Sequence, residues 1–322
     1  MIGHTRFTFH DLAPGEESFR DAVLNGLGRA PKSIPCKFFY DARGSALFEA
    51  ICRLPEYYLT RTEIAILEQN AAAIAAQISP HSRLIEFGSG ASTKVRILLR
   101  ALDRPAAYVP VDISREHLRD AATSLAEDFP SLPVVAVCAD YTRAFPLPPL
   151  PGPSGKQVGF FPGSTIGNFE PDAAVDFLAN YARILGPGGE MLIGVDLKKD
   201  PAILERAYDD PAGVTAQFNL NLVERINREL DGDLNIGRFE HVAFYNEVEG
   251  RIEIYIRSLA NQEAWIAGTP ILFAKGELIH TEYSYKYSVA EFRALAGRAG
   301  FSPVDTWTDP AALFSVHYFR LR

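Results

Sequence analysis

The sequence predicts an α/β fold in which a mostly parallel sheet, flanked by helices on both faces, is interrupted by an inserted α+β lobe. Three observations carry that expectation. Between residues 84 and 195, short apolar runs alternate with polar turns and amphipathic stretches, the pattern of successive strand and helix units. Residues 199–287 break this rhythm with one long amphipathic stretch and several antiparallel-looking runs. Beyond them the chain resumes with a helix and a strand pair, which closes the sheet with a reversed late strand. The expected organisation is a sheet domain at 1–198 and 288–322, including an N-terminal segment, and a substrate lobe inserted at 199–287.

Each element has a local reason. Strands are expected at 84–87, 107–111, 134–138 and 158–162, all short apolar runs bounded by turn residues. A fifth at 190–195 follows Gly186-Pro187-Gly188-Gly189, a strong breaker. Helices are expected to start near Ser92, Arg115 and Asp172, with a last one at 289–299 before strands at 304–308 and 315–320. In the lobe, 213–230 has a helical pattern, and 241–247, 251–259 and 279–286 alternate as strands. Pro146, Pro148, Pro149, Pro151 and Pro153 mark a surface connection rather than a polyproline ligand.

Composition narrows the function classes. The 322 residues are 47% hydrophobic and 22% charged, with a formal net charge of −8, which argues against a phosphate-binding nucleic-acid surface. Cys36, Cys52 and Cys138 are odd in number and widely spaced, unlike a disulfide framework or a zinc site. The first ten residues lack the apolar stretch of a signal peptide, and no run approaches the length of a membrane span. The expectation is a cytoplasmic monomer acting on a small molecule, with no metal and no nucleic-acid or membrane partner.

The ligand class is read from Ser82-Arg83-Leu84-Ile85-Glu86-Phe87-Gly88-Ser89-Gly90. A buried strand that ends in glycines and runs into a helix lets a ligand lie against bare backbone, and Asp112, closing the next strand, can accept hydrogen bonds from a ribose. Thr93 stands where a dinucleotide loop needs a third small residue, and Glu86 adds negative charge unsuited to a pyrophosphate. S-adenosylmethionine, a cationic nucleoside without phosphate, fits better. Lys94 could reach its methionine carboxylate or be a solvated helix lysine. Asp112 could equally cap a helix, a role open to Ser114 too. Asp140-Tyr141 closes the third strand, where the acid can accept from an adenine amine and the ring can flank the base, unless the pair is ordinary turn chemistry. At the end of the fourth strand Gly163, Gly167 and Asn168 suggest close backbone approach and a two-way hydrogen-bonding group for an amino acid.

Longer strings point to a family. They are Pro31-Lys32-Ser33-Ile34-Pro35-Cys36-Lys37-Phe38-Phe39-Tyr40-Asp41-Ala42-Arg43-Gly44-Ser45, Arg53-Leu54-Pro55-Glu56-Tyr57-Tyr58-Leu59-Thr60-Arg61-Thr62-Glu63, Gly163-Ser164-Thr165-Ile166-Gly167-Asn168 and Ala207-Tyr208-Asp209-Asp210. Together they resemble the S-adenosylmethionine-dependent histidine N-alpha-methyltransferases of ergothioneine biosynthesis, from about residue 20 to the C-terminus. The resemblance implies a Rossmann-like class I methyltransferase sheet and transfer of methyl groups to the α-amine of L-histidine, three times, giving hercynine. It implies further that Tyr57, Asn168 and Tyr208 hold the amino acid's backbone groups, that main chain approaches at Gly163, and that Tyr40 lies beside the reacting amine and the donor. Gly88, Gly90, Lys94, Asp112, Asp140 and Tyr141 are the cofactor residues under the same reading.

Specificity is expected from Thr281-Glu282-Tyr283-Ser284-Tyr285-Lys286, where strand alternation puts Glu282 and Ser284 on one face. A carboxylate beside a hydroxyl can engage both imidazole nitrogens. Ile254 departs from the family pattern, which has Met there; both are apolar, so the change bears on packing against the substrate. Two other readings stay open, an N-methyltransferase of another aromatic amino acid and a non-catalytic S-adenosylmethionine-binding module.

Overall fold

The computed structural model describes residues 7–12, 18–89, 93–143, 145–151 and 155–322. These form two compact units: residues 1–15, 61–197 and 287–322 make one, and 16–60 with 198–286 make the other. The expected inserted lobe at 199–287 corresponds to the second stretch of the second unit. Residues 16–60, grouped by sequence with the sheet domain, cluster instead with the insertion.

The first unit is built on an eight-stranded sheet in the order Phe7–Asp11, Val134–Cys138, Ala107–Asp112, Arg83–Phe87, Gln157–Phe161, Glu190–Asp196, Phe314–Leu321, Phe301–Thr308. The first six strands are parallel, as strand-helix-strand units require. Phe314–Leu321 runs antiparallel between Glu190–Asp196 and Phe301–Thr308, the reversed late strand the sequence led one to expect. The central strands are buried along almost their whole length, which is why they read as unbroken apolar runs. Helices Thr93–Ala101, Arg115–Asp128, Pro171–Leu185 and Val289–Arg298 lie where they were expected; the last is fixed by a capping box of Ser288 and Glu291. The edge strand Phe7–Asp11 was not anticipated. Gly159 admits the Tyr181 ring: a Cβ there would lie 2.2 Å from Tyr181 Cε1.

The second unit has a four-stranded sheet in the order Lys32–Ser33, Leu278–Tyr285, Arg251–Ser258, Phe239–Asn246, together with a hairpin of Gln262–Ile266 and Thr269–Phe273. Its helices include Ala42–Ile51, Pro201–Tyr208 and Val214–Glu229. Antiparallel register sets Glu282 opposite Ile254 and Ser284 opposite Ile252, just past a register shift between His280 and Glu282. Among the described residues no helix is long and apolar enough to cross a membrane.

Candidate active site

In the sheet unit, Arg83–Phe87 ends in Gly88, whose φ of +71° is open to glycine and strained for other residues. A Cβ there would lie 3.3 Å from Tyr141 Oη, so the tyrosine hydroxyl packs directly against the bare backbone of Gly88. Gly88 and Tyr141, both expected from the sequence to serve the cofactor, are thus in direct contact. Gly90 lies outside the described residues. Asp112 accepts from the Ser114 N–H at 2.9 Å, and burial pushes its carboxyl up. Asp140 accepts from the Thr142 N–H at 3.0 Å and from Thr142 Oγ1 at 2.6 Å, an Asx turn that fixes the direction in which Tyr141 leaves the strand.

Glu86 calls for a correction to its expected role as a fixed negative charge. It is buried and accepts from the Tyr108 hydroxyl; burial, only partly countered by that bond and by Lys94, pushes its carboxyl up to about 7. A carboxyl part-protonated at neutral pH repels a pyrophosphate only weakly, so this charge is a poor basis for ligand choice.

Lys94 is held by a residue that sequence reasoning did not single out. Its Nζ lies 2.5 Å from Oε2 of Glu63, whose side chain is fully buried, and the two carboxylate oxygens also accept from the Gly163 N–H at 3.1 and 2.9 Å. Gly163 (φ +84°) and Ser164 (φ +58°) are both left-handed, and Ser164 Oγ accepts from the Asp196 N–H at 2.9 Å. This chain of bonds sets the path from the strand Gln157–Phe161 into the short turn Thr165–Asn168, which ends in half-buried Asn168.

In the second unit, Tyr40, Tyr57, Tyr208, Ile254 and Glu282 line one cavity with Phe39, Phe48, Phe218, Thr215 and Asn219. Its volume is about 40 Å³, a small space walled largely by aromatic side chains. The string from Phe38 to Ser45 has a clear task here. Asp41 caps the helix Ala42–Ile51, accepting from the Gly44 N–H at 2.7 Å, and is gripped by Asn221 at 2.8 Å and by Arg228. Burial would raise its carboxyl, but these three partners outweigh it and hold it below the usual range. A Cβ on Gly44 would sit 1.7 Å from the Phe39 carbonyl oxygen, so only glycine allows this close turn. The result places Tyr40, 47% exposed, at the cavity with its ring edge-on to Phe48 and Phe218.

Tyr57 is buried, and desolvation together with Tyr208, Cys52, Tyr40 and Glu282 raises its phenol well above normal, so it acts as a neutral hydroxyl. Tyr208 Oη and Ser284 Oγ are 3.0 Å apart, which joins the two expected contacts into one polar cluster. Asn219 Nδ2 donates to His241 Nδ1 at 2.8 Å and to the Tyr255 carbonyl at 2.9 Å. With Nδ1 accepting, Nε2–H of His241 donates to the Tyr208 carbonyl at 2.9 Å, which steadies the end of Pro201–Tyr208. Burial lowers the His241 pKa, in keeping with that neutral tautomer. Among the described residues the buried Asn219 Oδ1 has no hydrogen-bond partner, a polar atom in a cavity-lining residue that sequence inspection missed.

Burial pushes Glu282 up to about 7 from the usual 4.5, despite the opposing Lys286 charge. Glu86 rises to a similar value. Below 4.5 each is protonated in folded and unfolded chains alike; between 4.5 and about 7 the unfolded chain releases protons that the folded one keeps. Stability from these two groups is therefore lost as pH rises through that window. Thermal melts of the parent against Glu86→Gln and Glu282→Gln should show a shallower decline in the variants.

A parallel sheet closed by one reversed strand, with a left-handed glycine turn at the end of a central strand, is the architecture of a class I methyltransferase. Residues 19–321 match the family model described as histidine-specific methyltransferase, SAM-dependent. A histidine N-alpha-methyltransferase of Mycolicibacterium smegmatis is 42% identical over 93% of this chain and 94% of its own length. Ergothioneine biosynthesis protein 1 of Neurospora crassa is 34% identical over 86% of this chain and 32% of its own. The chain thus belongs to the histidine-specific, S-adenosylmethionine-dependent methyltransferases. Among solved structures, a possible exported protein from Bordetella parapertussis aligns over 94% of this chain and 87% of its own at 15% identity, with a TM-score of 0.50, a likeness of fold.

Proposed function

We propose that the protein transfers methyl groups from S-adenosylmethionine to the α-amine of L-histidine, three times in succession, giving hercynine, and that it does so as a cytoplasmic monomer. The observation that carries this reading is the small cavity with Glu282 and Tyr208 in its wall, Tyr208 Oη lying 3.0 Å from Ser284 Oγ, an acceptor and donors suited to one small amphoteric ring. The family and the relatives named above support it.

S-adenosylmethionine, when bound, supplies an electrophilic methyl group on a sulfonium for in-line displacement. Gly88, Asp112 and Tyr141 would hold the nucleoside, and the Glu63-paired Lys94 would leave part of its charge for a carboxylate. Glu282 and Ser284 orient the ring of the acceptor and Tyr57 and Tyr208 hold its backbone groups, while Asn168 and Gly163 are the residues of the sheet unit assigned to the same amino acid. The amine loses a proton before each attack, because its lone pair is the nucleophile. Tyr40 presents a ring face and a hydroxyl that steady an increasingly substituted ammonium. Tyr40→Phe keeps the face and loses the hydroxyl, and is expected to slow the last methylation by roughly five- to tenfold, the scale of one hydrogen bond. Full rate through all three steps would remove that role.

Mass spectrometry over a panel of amino acids with S-adenosylmethionine tests the function. Histidine should gain one, two and three methyl groups in turn. Transfer to tryptophan with none to histidine, or binding of the donor without turnover, would overturn it.

A further inference from the structure

We infer that Lys286 is a positioning residue that, together with Tyr208, turns the Ser284 hydroxyl into a one-way donor, so that the cavity selects a neutral ring able both to donate and to accept. This rests on the reading of the cavity as the place of the histidine side chain. Lys286 is 1% exposed, and its Nζ donates to Tyr208 Oη and to Ser284 Oγ, both at 2.8 Å. With the two hydroxyls 3.0 Å apart, the three groups close a triangle.

An ammonium has three donors and no acceptor, so neither hydroxyl can give its proton to Lys286. At most one of the two hydroxyl protons is used between the oxygens. With the Tyr208 proton given to Ser284, Ser284 Oγ accepts from both Lys286 and Tyr208, its lone pairs are filled, and its own proton is directed out of the triangle as a donor. Glu282, two residues before Ser284 on the same strand face, lines the cavity as an acceptor. A ring held by both must donate to Glu282 and accept from Ser284. Neutral imidazole has one nitrogen of each kind; imidazolium has two donors, and an indole or pyrrole has only one donor. Electrostatics act in the same direction. The Lys286 charge favours the ionised form of Glu282 against its burial, and it disfavours a second cation at the ring position.

Lys286 was visible in the sequence as the third member of the alternating set Glu282, Ser284 and Lys286. Strand alternation alone makes a solvent-facing lysine the ordinary outcome. What separates the two is burial, together with the two hydroxyl partners.

The test compares histidine with the two regioisomers of pyrrolylalanine, which keep a ring N–H and lack the accepting nitrogen. Steady-state methylation and calorimetric binding are measured on the full chain, alongside Lys286→Met and Lys286→Gln. The parent should prefer histidine by about tenfold or more, as expected for a site that hydrogen-bonds its ligand. Both variants should compress that preference to within about threefold, through a higher KM for histidine more than a lower kcat, because Met offers no donor and Gln can accept as well as donate. A parent that takes a pyrrolylalanine as well as histidine overturns the inference without any variant. So does an unchanged preference in whichever variant still melts cooperatively. A parent that neither binds nor methylates histidine removes the proposed function itself, whereas a histidine-active parent with indifferent variants removes only the role of Lys286.

Discussion

Glu282→Ala is expected to lower kcat/KM for histidine by about a hundredfold while leaving the KM for S-adenosylmethionine within about twofold. A carboxyl raised to about 7 is part-ionised at neutral pH, and a hydrogen bond to its ionised form is worth about 1.5–3 kcal/mol, with each ~1.4 kcal/mol a factor of ten. Truncation also leaves the ring N–H buried with no partner, which places the loss toward the upper end of that range. The fold should not suffer in parallel. Burial pushes the Glu282 carboxyl up to about 7, so the charge is held at a cost that alanine removes. A variant that melts at or slightly above the parent temperature near neutral pH, yet has lost histidine turnover, would assign Glu282 to recognition rather than to folding. Aromatic amino acids without a second ring nitrogen should lose far less, so the substrate range widens as the histidine rate falls. Steady-state kinetics with histidine within threefold of the parent would sink the assignment.

Parts of the fold were legible because their signals are local. The central strands are buried on both faces and read as apolar runs, and the helices Arg115–Asp128 and Pro171–Leu185 begin where N-terminal helix residues predict. The edge strand Phe7–Asp11 escaped notice because its short mixed run gains meaning only from parallel pairing with Val134–Cys138, more than a hundred residues away. The hairpin Gln262–Ile266 and Thr269–Phe273 was missed for another reason. Its turn is Ala267-Gly268 with φ of +47° and +76°, and alanine is a poor signal for a left-handed position. The assignment of residues 16–60 could not come from pattern at all: Lys32–Ser33 pairs with the strand Leu278–Tyr285, and Asp41 bonds Asn221, contacts that no local window contains. At the cavity, Tyr40, Tyr57, Tyr208, Ile254 and Glu282 do come together as the motifs implied. Glu63 and Asn219 were passed over because each acts through partners distant in sequence, and Lys286 because its burial and its bond to Tyr208 have no local signal.

Glu63→Ala should cost the fold about 3–5 kcal/mol, the usual result of removing one half of a buried ion pair. Its carboxylate is fully buried and satisfies the Lys94 ammonium and the Gly163 N–H together; without it, a lysine only 18% exposed and a main-chain donor are both orphaned. The surroundings are shaped to this side chain. A Cβ on Gly194 would lie 2.0 Å from Glu63 Oε1, so the neighbouring strand gives up a side chain to admit the carboxylate. Glu63→Gln keeps an acceptor for Gly163 but turns an amide toward an ammonium, and should fall between parent and alanine variant in urea denaturation. The decisive arm is Glu63→Ala with Lys94→Met. If the penalty is the stranded lysine charge, removing both partners should recover part of the loss, leaving the double variant more stable than Glu63→Ala alone. If Glu63 matters mainly as the acceptor for Gly163, the double variant stays as unstable as the single one, because no remaining group takes that N–H. The two outcomes separate a charge network from a backbone clamp at the turn that leads to Asn168.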